Sequence, residues 1–156
     1  MEGALKGIRI IDLSHVLAGP TATMILADLG AEVIHVEPPQ GDDAREYGPF
    51  VGKVDKNHSG YFISLNRNKK SMVLDLRKEK GKKILRELIR VSDVLVENYR
   101  PTTMKKLGFS WEEIEKINPR IIYASISGFG QTGPRRNDVS YDIIAQAMGG
   151  LMSVTG

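Results

Sequence analysis

The chain has no cysteine among its 156 residues, which excludes a disulfide framework, a thiolate nucleophile and a cysteine metal site. No metal-ligand set is assigned. Long hydrophobic runs are also missing: Glu2, Asp12 and Asp28 interrupt the first thirty residues, and nothing approaches a twenty-residue span. A soluble, unexported, cytoplasmic protein with no membrane partner is therefore expected. There is no internal repeat and no low-complexity tract. Aromatic residues make up only 6% of the chain, and none falls within the basic stretch 67–90. What is present is 41% apolar content in a length that can bury one sizeable core.

Formal net charge is only +3, yet residues 65–90 carry ten Lys or Arg against three Asp or Glu. Such a run raises the question of a polyanionic partner. Lys78, Lys82, Arg86 and Arg90 recur at i, i+4 spacing, while Ile84, Leu85, Leu88 and Val91 fall on the other side. Those four cations read as the solvated face of an amphipathic helix. Arg67, Lys69, Lys70 and Arg77 lie outside it and need a separate account.

Residues 8–13 form an apolar run ended by Ser14 and His15, and Gly19-Pro20 introduces a helical stretch over 21–29 closed by Gly30. Pro20 suits the first helical position and Gly30 the left-handed residue after the last turn. Residues 31–37 follow as a strand stopped by Pro38-Pro39. This is a βαβ unit, which implies parallel pairing. Residues 40–59 lack periodicity and read as a long surface loop. Strands are then expected at 71–74, 93–97 and 121–126, with helices at 78–91 and 102–107. Another helix opens on a Ser110-Trp111-Glu112-Glu113 capping box and ends before Pro119. The alternation gives an α/β, Rossmann-like doubly wound, mostly parallel open sheet. The almost wholly apolar stretch 143–152, four residues from the end, is unlike a native terminus, so an N-terminal portion of a longer protein is expected.

The run Ser92-Asp93-Val94-Leu95-Val96-Glu97-Asn98-Tyr99-Arg100-Pro101 continues through Gly108-Phe109-Ser110-Trp111 to Asn118-Pro119-Arg120-Ile121-Ile122-Tyr123-Ala124-Ser125. It resembles the family III CoA-transferases, the formyl-CoA and carnitine CoA-transferases with the related α-methylacyl-CoA racemases. The likeness extends over 5–37, 64–76 and 128–156. The resemblance implies that residues 1–156 are the N-terminal part of a large CoA-binding Rossmann-like domain. It implies CoA and acyl-CoA as ligands, a small carboxylic acid as second substrate, no tightly bound cofactor, and an interlocked homodimer. CoA would pass between acids through an aspartyl anhydride and thioester. The resemblance puts that aspartate a short way beyond position 156.

Loops at the carboxyl ends of parallel strands are where ligands meet backbone N–H groups. His15-Val16-Leu17-Ala18-Gly19-Pro20 is such a loop, with Gly19 permitting close approach to a ligand. On residues alone it reads as an ordinary βα turn. The resemblance makes His15, Val16, Leu17 and Ala18 contacts to CoA. Asn66-Arg67-Asn68-Lys69-Lys70-Ser71 reads as a polar turn with surface lysines, yet a 3′-phosphate and a pyrophosphate need several cations or N–H donors. The resemblance assigns Asn68, Lys69, Lys70, Leu74 and Arg77 to the nucleotide end. Asn98 offers donor and acceptor and Tyr99 an aromatic face; by resemblance both border the CoA chain, and Lys106 meets a phosphate. Gly128-Phe129-Gly130-Gln131-Thr132-Gly133-Pro134 reads as a connector or a closing loop. Tyr141 and Asp142 open a helix and are supporting candidates at the catalytic centre, with Asp142 expected to cap it.

Three other readings stand beside CoA transfer. An acyl-CoA racemase needs an acid/base pair, and the resemblance places a His where this chain has Tyr141, which favours transfer. An NAD-binding oxidoreductase would use Glu37 on the ribose, but no G-x-G-x-x-G follows the first strand. A non-catalytic nucleotide- or nucleic-acid-binding module would use the basic run, which has no interleaved aromatics and no zinc-finger or helix-turn-helix spacing. No nucleic-acid partner is expected.

Overall fold

The computed structural model describes residues 3–52 and 57–155. Five strands, β1 (Arg9–Asp12), β2 (Glu32–Glu37), β3 (Lys69–Val73), β4 (Val94–Glu97) and β5 (Ile122–Ser125), form one sheet in the order β3-β2-β1-β4-β5. Every pairing is parallel, including the edges. Helices α1 (Ala18–Asp28), α2 (Gly60–Asn66), α3 (Glu79–Arg90), α4 (Thr103–Leu107), α5 (Trp111–Ile117), α6 (Asp142–Met148) and α7 (Met152–Thr155) connect and follow the strands. Outward growth from β1 in both directions makes the sheet doubly wound.

Alternation along the inner strands builds two cores. Ile11 and Leu95 face Leu85, Ile89, Met104, Phe109 and Ile114, which belong to the α3–α5 side. Ile10, Val33 and Val96 face Ala27 of α1 and Ala31 on the other. Successive strand side chains point to opposite faces, so a strand covered on both faces is apolar throughout. Gly30 closes α1 as expected: Gly30 has φ +102, and the Ala31 N–H reaches the Leu26 carbonyl.

Several elements differ from expectation. Helix α1 begins at Ala18, three residues early, so Pro20 sits inside its first turn. A Cβ at Gly19 would collide with the Ser14 side chain, so that glycine permits the close approach of α1 to the end of β1. The described parts of the stretch 40–59 are not a plain surface loop, while the expectation for 53–56 lies outside the described residues. A 3-10 turn spans Asp43–Glu46, Asp42 and Ala44 are buried, and the Ser59 hydroxyl caps α2 by accepting from the Phe62 N–H. Ser110 stands at the N-cap of α5 but makes no side-chain capping bond, so the capping box is unformed. The charged face of α3 is solvated and internally paired, Lys82 and Arg86 with Glu79 and Arg90 with Glu87. Among the described residues no helix is long and apolar enough to cross a membrane.

Candidate ligand-binding site

The strands β1, β2 and β4 each end at the carboxyl side in a buried carboxylate, Asp12, Glu37 and Glu97. Asp12 ends β1 fully buried. It accepts from the Ser14 N–H and hydroxyl, from Thr23 Oγ1 at 2.6 Å, from Lys69 Nζ at 3.0 Å, and lies 3.2 Å from His35 Nδ1. Burial alone would raise the Asp12 carboxyl, but hydrogen bonding and charge from His35, with Lys69 and Ser14, hold it well below the ordinary carboxylate range. Lys69 is correspondingly enclosed: its side chain is 1% exposed, and Nζ also donates to the Pro20 carbonyl and Asn66 Oδ1. Burial lowers its proton affinity, and Asp12 opposes that shift.

A second buried carboxylate, Glu37, ends β2. Arg45 grips it with two bonds of 2.6 and 2.7 Å while its guanidinium lies 3.7 Å from the Phe62 ring centre. The Asp42 N–H and the Ser71 hydroxyl complete its shell. Burial opposes ionisation of Glu37, yet Arg45, Asp42 and Ser71 hold its pKa down to about 2. With both oxygens engaged, Glu37 is not the free ribose acceptor that a dinucleotide fold requires.

The His15 loop lies above these groups. Asn98, just past β4, clips it with two reciprocal bonds: the His15 N–H donates to Asn98 Oδ1 and Asn98 Nδ2 donates to the His15 carbonyl, both at 2.8 Å. His15 Nε2 is 3.1 Å from the Tyr99 hydroxyl. Val16 has φ +66, a region that a β-branched residue avoids at a cost of about 1–3 kcal/mol. Its N–H points at both oxygens of buried Asp42, each at 3.2 Å. Burial lowers the proton affinity of His15, partly offset by Asp42. Burial likewise raises the Tyr99 phenol, helped by the charges of Glu97, Asp12 and Asp42, so it stays protonated at neutral pH. Glu97 accepts from the Tyr99 N–H, the Tyr123 hydroxyl and Ser125.

Beside Tyr99 opens a cleft of about 180 Å³, lined by Val36, Glu37, Leu74, Arg77, Tyr99 and Leu107 among others. Three expected site residues, Leu74, Arg77 and Tyr99, thus share one cavity. Arg77 is 76% exposed and, among the described residues, paired only with Asp75. Lys106, adjacent to Leu107 on α4, is exposed and forms no ion pair among the described residues. Leu17 is half exposed and Ala18 is exposed at the start of α1.

Other expected residues are placed elsewhere. Lys69 is buried on Asp12, so its ammonium is not presented to a phosphate. Lys70 pairs with Glu32, the first residue of β2, at the opposite end of the sheet from the cleft. Asn68, at φ +61, ties the turn to Asp28 together with Arg67. Tyr141 is 74% exposed, and Asp142 bonds Gln146 on its own helix without capping it. No hydrogen bond among the described residues joins either to His15 or Tyr99. Sequence reasoning missed Asp12, His35, Asp42, Arg45 and Glu97. For Asp12, His35 and Glu97 the readable signal was a polar residue in or at the end of a strand buried on both faces; Asp42 and Arg45, in the connection after β2, carried no such signal.

A family model for CoA-transferase family III matches residues 5–156. The chain belongs to CoA-transferase family III. Among similar family members, the acetyl-CoA:oxalate CoA-transferase of Acetobacter aceti is 54% identical, covering 99% of this chain and 39% of that protein. The succinyl-CoA:glutarate CoA-transferase of Homo sapiens is 53% identical over 97% of this chain and 34% of that protein. A crystal structure of a CAIB/BAIF family protein from Brucella suis superposes with a TM-score of 0.94 at 42% identity, covering 100% of this chain and 42% of that one. The chain thus spans roughly two fifths or less of the length of these family members.

Proposed function

We propose that this chain supplies the CoA-binding part of an enzyme that moves CoA between an acyl-CoA and a small carboxylic acid. The observation that carries the reading is the cleft at the carboxyl edge of the sheet, where Leu74, Arg77 and Tyr99 converge, in a chain of this family. Apolar Leu74 and the Tyr99 ring suit the adenine or pantetheine, while exposed Arg77 and Lys106 provide cations for the phosphates. Val16, Leu17 and Ala18 present the first βα loop to the CoA chain. The names of similar family members, which include oxalate and glutarate, make those acids the first acceptors to assay. The aspartyl nucleophile of the anhydride and thioester steps is proposed to lie beyond residue 156, and the working enzyme to be an interlocked cytoplasmic homodimer. Tyr141 in place of the racemases' His supports transfer over racemisation.

Calorimetric titration of the folded chain with CoA, dephospho-CoA and NAD tests the binding half of the reading. CoA should bind, and should bind more weakly when the 3′-phosphate is absent. A folded chain that prefers NAD, or ignores CoA, contradicts it.

A further inference from the structure

Asp42 has no counterpart in the roles assigned so far, yet its surroundings are unusual. Its side chain is fully buried, and among the described residues no Lys or Arg forms an ion pair with it. Oδ1 accepts from the Ala44 N–H at 2.8 Å, and both oxygens face the Val16 N–H. Oδ2 lies 3.9 Å from His15 Nδ1 and 3.8 Å from His35 Nε2, an atom with no hydrogen-bond partner among the described residues. A buried carboxylate so placed acts on the proton of the imidazole it faces.

We propose that Asp42 is a positioning residue of this site: its carboxylate fixes His15 as the Nδ1–H tautomer, so that the Tyr99 hydroxyl donates to His15 Nε2. Two contacts on opposite sides of one ring lead to this assignment. At Nδ1, an N–H directed at Oδ2 is attracted, whereas a lone pair there would face the carboxylate. At Nε2, a bare nitrogen accepts the proton of Tyr99, for which no other hydroxyl acceptor is found among the described residues. The groups facing His15 are Asp42 and Asp43 from the β2–α2 connection, Asp12 from β1, His35 from β2 and Asn98 and Tyr99 beyond β4. Burial keeps the ring neutral, so a single proton has to be placed on one nitrogen.

The assignment has a consequence that rests on the CoA reading. With its proton on His15, Tyr99 can meet a ligand only as an acceptor. That suits an amide N–H, such as those of pantetheine, and disfavours phosphate or carboxylate oxygens. The same carboxylate clamps Val16 in its left-handed conformation, so one group sets both the loop backbone and the ring.

Nitrogen-15 correlation spectra of the ligand-free chain, with the His15 signals assigned from an H15Q variant, read the tautomer directly. Wild type should show protonated Nδ1 and bare Nε2. In Asp42→Asn the amide oxygen can still accept from Val16 and Ala44 while its NH2 faces His15, so the tautomer should invert. The His15 titration should also move to lower pH because an attracting charge is gone. Tyr99→Phe leaves Asp42 in place and should keep the Nδ1–H form. Protonated Nε2 in wild type, an unchanged tautomer in Asp42→Asn, or inversion in Tyr99→Phe would each overturn the assignment. CoA affinity in Asp42→Asn should fall about fivefold, the equivalent of one hydrogen bond of about 1 kcal/mol. A wild-type chain with the expected tautomer and no affinity for CoA would refute the ligand reading alone.

Discussion

Lys69 and Arg77 lie eight residues apart and both were expected at a phosphate, but they occupy opposite kinds of environment. Lys69 is enclosed with Asp12 under the first βα loop, whereas Arg77 is 76% exposed at the mouth of the cleft. The difference separates two layers of the site. The inner layer, Asp12, Lys69, His35, Glu37, Arg45 and Asp42, is closed on itself and fixes loop geometry. The outer layer faces the cleft: Arg77 and Lys106 are exposed, while part-buried Tyr99 and core residue Leu74 form its wall. An exposed cation keeps its solvation and can exchange water for phosphate. A buried cation without its carboxylate would be left uncompensated.

The sharpest way to break that division is Asp12→Ala. It leaves Lys69 buried and unpaired and should cost about 3–5 kcal/mol, read by denaturant unfolding; the added change Lys69→Met should recover part of the loss. A cost below about 1 kcal/mol would place Lys69 in solvent. Next, Glu37→Gln removes the partner of Arg45 and should cost on the order of 3 kcal/mol at neutral pH. The sign follows from a folded pKa of about 2, below the ordinary Glu value. The stabilisation is complete above the unfolded pKa of about 4.3 and is lost as pH falls toward 2. Wild type should therefore lose stability over that window, and Glu37→Gln should lose less.

The outer layer should respond in binding and not in folding. Arg77→Ala and Lys106→Ala should each weaken CoA binding about tenfold, the scale of a charge-assisted hydrogen bond. Unfolding midpoints should stay within about 0.5 kcal/mol of wild type. The smallest effect is expected at Lys70, whose side chain is 69% exposed and paired with Glu32. Lys70→Ala should change neither stability by more than about 0.5 kcal/mol nor CoA affinity measurably by calorimetry.

Most of the sheet was legible because its inner strands are apolar runs bounded by Gly, Pro or polar turns. The alternation of strand and helix implied parallel pairing, and all four pairings of the five described strands are parallel. Helix α2 was not legible. Gly60-Tyr61-Phe62-Ile63-Ser64-Leu65-Asn66 is short, and Leu65 is its one strong helix former. It is held by the Ser59 cap, by contact with α1 and by Arg45 on Phe62. The site divides the same way. Loops after strands could be read from order along the chain, which found His15, Asn98 and Tyr99. Partnerships across the sheet could not, because Lys69 reaches Asp12 only when β3, β2 and β1 lie side by side. Asp42 was hidden for a related reason: a polar residue after Gly41 looks like turn chemistry until Val16 is packed against it.

The most direct test of the two-layer account is the ratio of CoA to dephospho-CoA affinity, measured by calorimetry for wild type and for the Arg77→Ala/Lys106→Ala chain. The account predicts a ratio well above one in wild type that falls toward one in the double variant, at unchanged unfolding midpoint. A ratio that survives the loss of both cations would place the phosphate site elsewhere and contradict the division between inner and outer layers.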